Sequence, residues 1–236
     1  MPAREQGARL DALRADAAAM GCELADDAPA RLAAYLELLQ RWNRVHNLTA
    51  LRDPEQAWTH HLLDSLSVVA PLARALAARS APVLLDVGSG GGLPGVVLAV
   101  VRPDWAVVTV DAVAKKAGFV RQAALELGLA NLRAEHARVE ALAPAQADVV
   151  VSRAFASLDD FTRLSRRHLA PHGVWAAMKG RRPDDEVAVL GPDVDVFHVE
   201  PLVVPHLGAE RHLVWMRPAQ TALRSTAATP LADPSA

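Results

Sequence analysis

From Ala81 onward, short apolar runs alternate with helical segments, which predicts an α/β protein built on a doubly wound, mostly parallel sheet of seven strands. Three observations carry that prediction. The run Val83-Leu84-Leu85-Asp86-Val87 enters Gly88-Ser89-Gly90-Gly91-Gly92-Leu93-Pro94-Gly95, an apolar strand passing through a glycine-rich turn into an apolar helix. A second apolar run, Ala106 to Asp111, ends in an acid nineteen positions after Gly92. The last two strand candidates have only Pro205 to Glu210 between them, too little for a crossover helix, so they form an antiparallel pair at one edge.

Three helical segments come first. Leu10, Leu13, Ala17 and Met20 share one face of a helix stopped by Gly21. A second helix, from about residue 29 to 45, carries Leu32, Tyr35, Leu36, Leu39 and Trp42 at helical spacing. Asp53 and Pro54 open the third as N-cap and first helical residue, with Trp58, Leu62, Leu66 and Val69 on its apolar face. Residues 1–80 therefore read as an N-terminal helical subdomain and 81–217 as the α/β domain. Strands are expected at about 83–87, 106–111, 132–136, 148–152, 173–178, 195–203 and 211–217, and helices near 94–101, 114–127, 157–169 and 184–190. Ser157-Leu158-Asp159-Asp160 is a capping box in its Asp form, and Gly128 is placed to close the helix before it. The small, polar stretch 218–236 reads as a disordered tail.

With 236 residues, 51% of them hydrophobic, the chain buries a substantial core as one main domain plus an accessory element. No apolar run approaches the roughly 18 residues that a membrane helix needs. The N-terminus, MPAREQGARLDALRADAAAMG, is mixed in charge and helical, unlike a signal peptide. A single cysteine, Cys22, excludes internal disulfides and cysteine-based zinc clusters and fits the reducing cytoplasm; its expected role is a small buried hydrophobe. Net charge is −2, but residues 112–183 hold twelve Lys and Arg against six Asp and Glu. A basic region on an otherwise acidic body suits a protein that docks on RNA at one place.

The glycine turn admits two ligands. Gly90, Gly92 and Gly95 match the dinucleotide pattern GxGxxG, while Asp86, Gly88, Gly90 and Gly92 match DxGxGxG, the pattern of S-adenosyl-L-methionine sites. Asp86 favours the second, because a carboxylate at the strand end holds a cationic amino-acid group and repels a pyrophosphate. The helix opening at Pro94 is expected to offer unpaired N–H groups to the ligand. Asp111 is placed to accept hydrogen bonds from the ribose hydroxyls of either cofactor.

The motifs WNRVHNLTAL (42–51), HHLLDSL (60–66), LLDVGSGGGLPG (84–95), VRPD (101–104), Lys115-Lys116, RVE (138–140), VVSRAFASL (150–158), MKG (178–180) and ERHLV (210–214) are together far more specific than the turn alone. Through them, residues 31 to 217 resemble the bacterial small-subunit rRNA guanine-N7 methyltransferases, the glucose-inhibited division protein B family. The resemblance implies a Rossmann-like class I methyltransferase fold and an S-adenosyl-L-methionine cofactor. It further implies methylation of N7 of one guanine of 16S rRNA, position 527 in the customary rRNA numbering, free or within the small ribosomal subunit or an assembly intermediate. It places cofactor contacts on Gly88, Leu93, Asp111, Val139, Glu140 and Arg153. Gly91 and Gly118 depart from the family pattern and are expected to add flexibility.

Guanine N7 carries an exposed lone pair, so its methylation needs positioning and electrostatics rather than a general base or covalent nucleophile. The sequence agrees: no NPPY-type loop follows the fourth strand, which runs into Ser152-Arg153-Ala154-Phe155, and Cys22 lies in the first helical region. Arg153 is the first candidate for an orienting group, and Phe155 either stacks on a flipped base or fills the core. Lys115, Lys116, Arg121, Lys179, Arg181, Arg182 and Arg211 are candidates for RNA phosphate contacts. His60, His61 and Asp64 supply too few ligands for a metal site and read as a polar contact or an RNA-facing patch. Competing readings are a methyltransferase of a small molecule or protein, a dinucleotide-dependent oxidoreductase and a non-catalytic RNA-binding module.

Overall fold

The computed structural model describes residues 3–51, 53–153 and 155–219. Helices α1 (Ala3–Ala19) and α2 (Ala28–His46) are followed by a broken helix: α3 (Pro54–Ala57), a π-helical segment (Trp58–Leu63), α4 (Asp64–Leu66) and α5 (Val69–Leu76). The α/β part then runs β1 (Val83–Val87), α6 (Gly95–Val101), β2 (Ala106–Asp111), α7 (Ala114–Glu126), β3 (Leu132–His136), β4 (Ala147–Ser152), α8 (Leu158–Ser165), β5 (Leu169–Lys179), α9 (Asp184–Ala188), β6 (Val194–Pro201) and β7 (His212–Pro218).

The strands form one sheet in the order β3-β2-β1-β4-β5-β7-β6. β1 to β5 pair in parallel, and β7 runs antiparallel to both β5 and β6. The expected antiparallel pair is present, with β7 inserted beside β5 and β6 left as the edge. β5 begins four residues before its expected start, because the Pro171-His172-Gly173 stretch, which looks like a turn in sequence, is taken up where the register with β4 shifts.

Alternate residues of the central strands feed two cores, as the two-residue period of a strand dictates. Leu84, Val107, Val149, Ala176 and Trp215 face one side; Leu85, Val110, Val150, Trp175 and Met216 face the other. Each fully buried Leu or Val contributes about 1.5–3 kcal/mol. The N-terminal helices have no core of their own: Leu13, Leu32, Tyr35, Leu39, Leu62 and Leu66 belong to the same apolar cluster as Leu84 and Val107, so these helices are the layer that covers one sheet face. Phe161 of α8 packs against the other face.

Local signals behave largely as the sequence implies. Gly128 takes φ +62° at the end of α7, where Leu129 N–H bonds back to Ala124 C=O. Ser157 Oγ caps α8 by accepting from Asp160 N–H, but the Asp160 carboxylate pairs with Arg163 rather than completing the capping box. The third predicted helix departs most. Its middle turn is π-helical, with Asp64 N–H reaching Thr59 C=O, a wider turn that recurs at functional sites. Pro218 is the last residue of β7 and Ala219 N–H bonds to Asp193 C=O, so the expected tail does not begin at 218; the rest of it lies outside the described residues.

Candidate active site

The glycine turn joins the carboxyl end of β1 to α6, where ligands of open α/β sheets bind. Its backbone is wired inward. Gly88 N–H reaches Val110 C=O at 2.9 Å, Gly92 and Leu93 N–H reach Ser89 C=O at 2.8 and 3.0 Å, and Val96 N–H reaches Gly92 C=O at 2.7 Å. Gly90 N–H bonds Asp111 Oδ2 and Gly95 N–H bonds Asp86 Oδ2, each at 2.9 Å. This corrects the expectation of unpaired N–H groups at the helix start, because the strand-end acids and the turn's own carbonyls take those donors. A loop so satisfied, flanked by two carboxylates, is poorly suited to a pyrophosphate, which disfavours the dinucleotide reading.

What the turn leaves open suits a sulfonium amino acid nucleoside. A side chain at Gly88 (φ +69°) or Gly90 (φ +58°) would meet no protein atom within 4 Å, so the crevice above the turn has room for a ligand. Gly95 serves the opposite purpose: a Cβ there would lie 2.8 Å from Asp86 Oδ2, and its absence lets strand and helix approach. Asp86 is fully buried, and its Oδ1 has no hydrogen-bond partner among the described residues. Burial pushes its carboxyl up to about 7, opposed by the Gly95 N–H and the Arg153 charge. An incoming ammonium would satisfy that orphaned oxygen. Asp111 is nearly buried; its Oδ1 accepts from Val113 N–H at 2.8 Å, and each oxygen keeps a second acceptor site for ribose hydroxyls. Lys116 Nζ lies 4.0 Å from Asp111 Oδ2, at the crevice.

α2 supports the turn from beneath. The buried Tyr35 hydroxyl donates to Gly91 C=O at 2.5 Å. A Cβ on Gly91 would stand 2.9 Å from Leu39 Cδ1, so this glycine answers to packing rather than to flexibility. Leu93 is buried in the core, leaving only its backbone for a ligand. Val139 opens a 3-10 turn whose carbonyl bonds to buried His168 Nε2 at 2.8 Å, and the neighbouring Glu140 carbonyl receives Arg167 at 3.0 Å.

Beside the crevice lies a cleft of about 380 Å³ lined by Thr49, His61, Asp64, Arg153, Lys179 and Arg211 among others. Five of the separated motifs thus meet in one place. Asp64, buried, accepts from Arg211 Nε at 2.7 Å on one oxygen and from Arg153 Nη1 at 3.4 Å on the other. Arg153 Nη1 also donates to His60 C=O at 2.9 Å, on the π-helical turn. Lys179 Nζ bonds both oxygens of Glu186 at 2.8 and 2.9 Å. His61 shares a hydrogen bond with Thr49 Oγ1 at 3.1 Å, and burial, reinforced by the Arg153 charge, pushes its pKa down to about 4, so the ring is neutral.

Of the candidate RNA contacts, the structure brings Lys179 and Arg211 together, in the cleft beside Arg153. Arg121 is elsewhere, its guanidinium bonded to Ala134 C=O at 3.0 Å on the β3 side, and exposed Arg182 pairs with Asp184. Lys115 and Arg181 are exposed. Phe155 is half-buried, stands 5.5 Å from Phe161 and packs on the second core. Cys22 is buried and its thiol is pushed up to about 11, chiefly by burial, an inert group as expected. Among the described residues no group of three or more His, Cys, Asp or Glu is arranged to hold a metal, and no helix is long and apolar enough to cross a membrane. Sequence reasoning missed the Asp64 pairings, the Glu186 clamp on Lys179 and the Tyr35 bond. Each joins residues distant in the chain, except for the seven-residue step from Lys179 to Glu186 across a proline-containing loop.

Residues 29–214 match the family described as GidB, rRNA small subunit methyltransferase G. Proteins named ribosomal RNA small subunit methyltransferase G are similar along nearly the whole chain: one from Leptothrix cholodnii is 59% identical over 213 residues, 90% of this chain and 97% of that one. Another, from Acidovorax sp. (strain JS42), is 58% identical over 88% of this chain and 94% of its own. Among solved structures the fold resembles TrmN from Thermus thermophilus, with a TM-score of 0.53 at 22% identity over 66% of this chain and 49% of that one. It also resembles MtNAS in complex with MTA and tNA, with a TM-score of 0.53 at 15% identity over 80% and 73%. By its matched family and its relatives, carried on a class I methyltransferase sheet, the chain belongs to the rRNA small subunit methyltransferase G family.

Proposed function

We propose that the protein methylates N7 of a guanine in 16S rRNA, presented by the small ribosomal subunit or a precursor of it in the cytoplasm. S-adenosyl-L-methionine supplies an electrophilic methyl group on a sulfonium; N7 forms the new N–C bond as the S–C bond breaks, leaving a neutral thioether and a positively charged purine. Asp86 holds the cationic amino-acid end, Asp111 the ribose, and the Val139–Glu140 turn borders the adenine. Arg153 stands at the boundary of crevice and cleft: its charge acts on Asp86 and Tyr35 on one side and on His61 on the other.

The observation that carries the choice of N7 is the state of the cleft's ionisable groups. Asp64 is held between two guanidiniums, Lys179 is clamped by Glu186, and His61 is too weak a base to take a proton at neutral pH. Attack on an exocyclic amine or a ribose hydroxyl releases a proton; attack by N7 releases none. Asp64, Lys179 and His61 are thus placed to orient a nucleophile and not to deprotonate one; His60 is the other imidazole that lines the cleft. Membership of the family and the basic side chains beside the crevice support RNA as the acceptor.

The test uses the purified protein, small subunits lacking the modification and methyl-labelled cofactor, followed by digestion to nucleosides and mass spectrometry. Label is expected in 7-methylguanosine. Label in a ribose, an exocyclic amine or a pyrimidine carbon, or methylation of ribosomal protein instead of RNA, would refute the proposal.

A further inference from the structure

The HHLLDSL segment is not accounted for by cofactor binding, and its acid lies buried between two arginines. Asp64 reaches the cleft from α4, Arg153 from the residue after β4, and Arg211 from the residue before β7. A buried carboxylate holding two guanidiniums fixes where both forks point, because each loses most of its rotamer freedom. Arg153 engages Asp64 and His60 through Nη1, and its side chain is 23% exposed, so its other donors are not needed for those two contacts.

Building on the proposed N7 methylation, we infer that Asp64 is a positioning residue that holds the Arg153 guanidinium against the O6 atom of the acceptor guanine, making the Asp64–Arg153 pair the device that distinguishes guanine from adenine. The chemistry of the purine edge leads there. When N7 faces the sulfonium, its own lone pair is committed, and the only other group on that edge is the exocyclic one at C6. In guanine this is a carbonyl acceptor; in adenine it is an amino donor, which a guanidinium cannot hydrogen-bond. Arg153 is the cationic donor of the cleft that lies nearest the crevice, since its charge is felt at Asp86 and Tyr35. Asp64 has a second effect. A lone cation at O6 would oppose the positive charge that the ring acquires, and the adjacent carboxylate cancels that cost. Arg211, on the other oxygen of Asp64, lines the same cleft for the phosphate backbone, and Lys179 beside it would have to exchange its Glu186 partner for a phosphate.

The experiment compares two 16S rRNA substrates assembled into small subunits, one with guanine and one with 2-aminopurine at the acceptor position. The analogue keeps N7 and the 2-amino group but replaces the C6 carbonyl and N1–H of guanine with C6–H and an unprotonated N1, so a loss that disappears in the Asp64 and Arg153 variants is the part that belongs to O6. The parent enzyme is expected to lose about 100-fold in kcat/KM on 2-aminopurine, the loss of one hydrogen bond from a charged donor. In Asp64→Asn and in Arg153→Ala, activity on guanine falls by a similar factor while activity on 2-aminopurine changes little, so the penalty shrinks to within about 3-fold. S-adenosylhomocysteine binding within about 3-fold of the parent shows that Asp64→Asn is folded and its cofactor site intact; if Asp64→Asn does not fold, Arg153→Ala, compared on the two substrates at saturating cofactor, carries the comparison, because any weakened cofactor binding then lowers both substrates alike. Variants that lower both substrates by the same factor, or a parent enzyme indifferent to O6, would overturn the inference. Were the parent to form no 7-methylguanosine on the guanine substrate at all, the proposed N7 reaction would fail instead, so the two failures are distinct.

Discussion

Asp86 is a buried group that secures the fold through one oxygen and, in the proposed reaction, meets the ligand through the other. Its Oδ2 secures Gly95 and its Oδ1 has no partner among the described residues, at the cost of a carboxyl pushed up to about 7. Because the folded pKa lies above the unfolded one, near 4, the folded protein binds the proton more tightly. The associated stability is complete below about pH 4 and is lost as pH rises through about 7. Asp86→Asn is therefore expected to stabilise the ligand-free protein relative to the parent by about 1–3 kcal/mol more at pH 8 than at pH 4, measured by urea unfolding. A cationic ligand at Oδ1 favours the ionised form, so S-adenosylhomocysteine should bind the parent more tightly as pH rises from 6 to 8, and Asp86→Asn should abolish that dependence along with methyl transfer. Asp111→Ala should likewise abolish methyl transfer and weaken cofactor binding by about 1.5–3 kcal/mol in calorimetry, since it removes a charged acceptor. The placement of both acids at the carboxyl ends of β1 and β2 was legible in the sequence. That each also ties down the glycine turn was not, because a sequence does not say which of several nearby N–H groups a carboxylate will take.

At the level of elements, α2 is the floor beneath the glycine turn and not merely a cover for the sheet. The Tyr35 hydroxyl holds Gly91 C=O, and Leu39 occupies the space that a side chain at Gly91 would need. Tyr35→Phe leaves a buried carbonyl unpaired and should cost about 1–3 kcal/mol in thermal or urea unfolding, with weaker S-adenosylhomocysteine binding as the turn loosens. Periodicity revealed that Tyr35 and Leu39 face a core, but their partner lies more than fifty residues away, beyond any local signal. The same limit applies to the broken third helix. Trp58, Leu62, Leu66 and Val69 follow helical spacing, yet a π-helical turn replaces the α-helix at Trp58–Leu63, where the His60 carbonyl meets Arg153 and the His61 ring meets Thr49. Tertiary contacts with the cleft decide that local geometry.

Across the whole molecule, the alternation of apolar runs and helices was enough to read the seven-stranded sheet, because a parallel strand buried on both faces writes itself as a continuous apolar segment. The cleft was legible only as scattered motifs; its assembly from α4, the residue after β4, the end of β5 and the start of β7 is a property of the topology. The basic surplus of residues 112–183 divides in space, Lys116 to the crevice, Lys179 to the cleft and Arg121 to the β3 side. If three basic side chains neutralise RNA phosphates, the logarithm of the subunit-binding constant should fall with the logarithm of salt concentration at a slope of about −2 to −3, and Lys179→Ala should make it shallower by about one unit. Salt-independent binding would remove phosphate contacts from the account. The most direct measurement is chemical cleavage at 7-methylguanosine in 16S rRNA from cells with and without this gene. Cleavage at one guanine in the first and its absence in the second is the predicted result; the same cleavage pattern in both would contradict the assignment of this enzyme to N7 of that base.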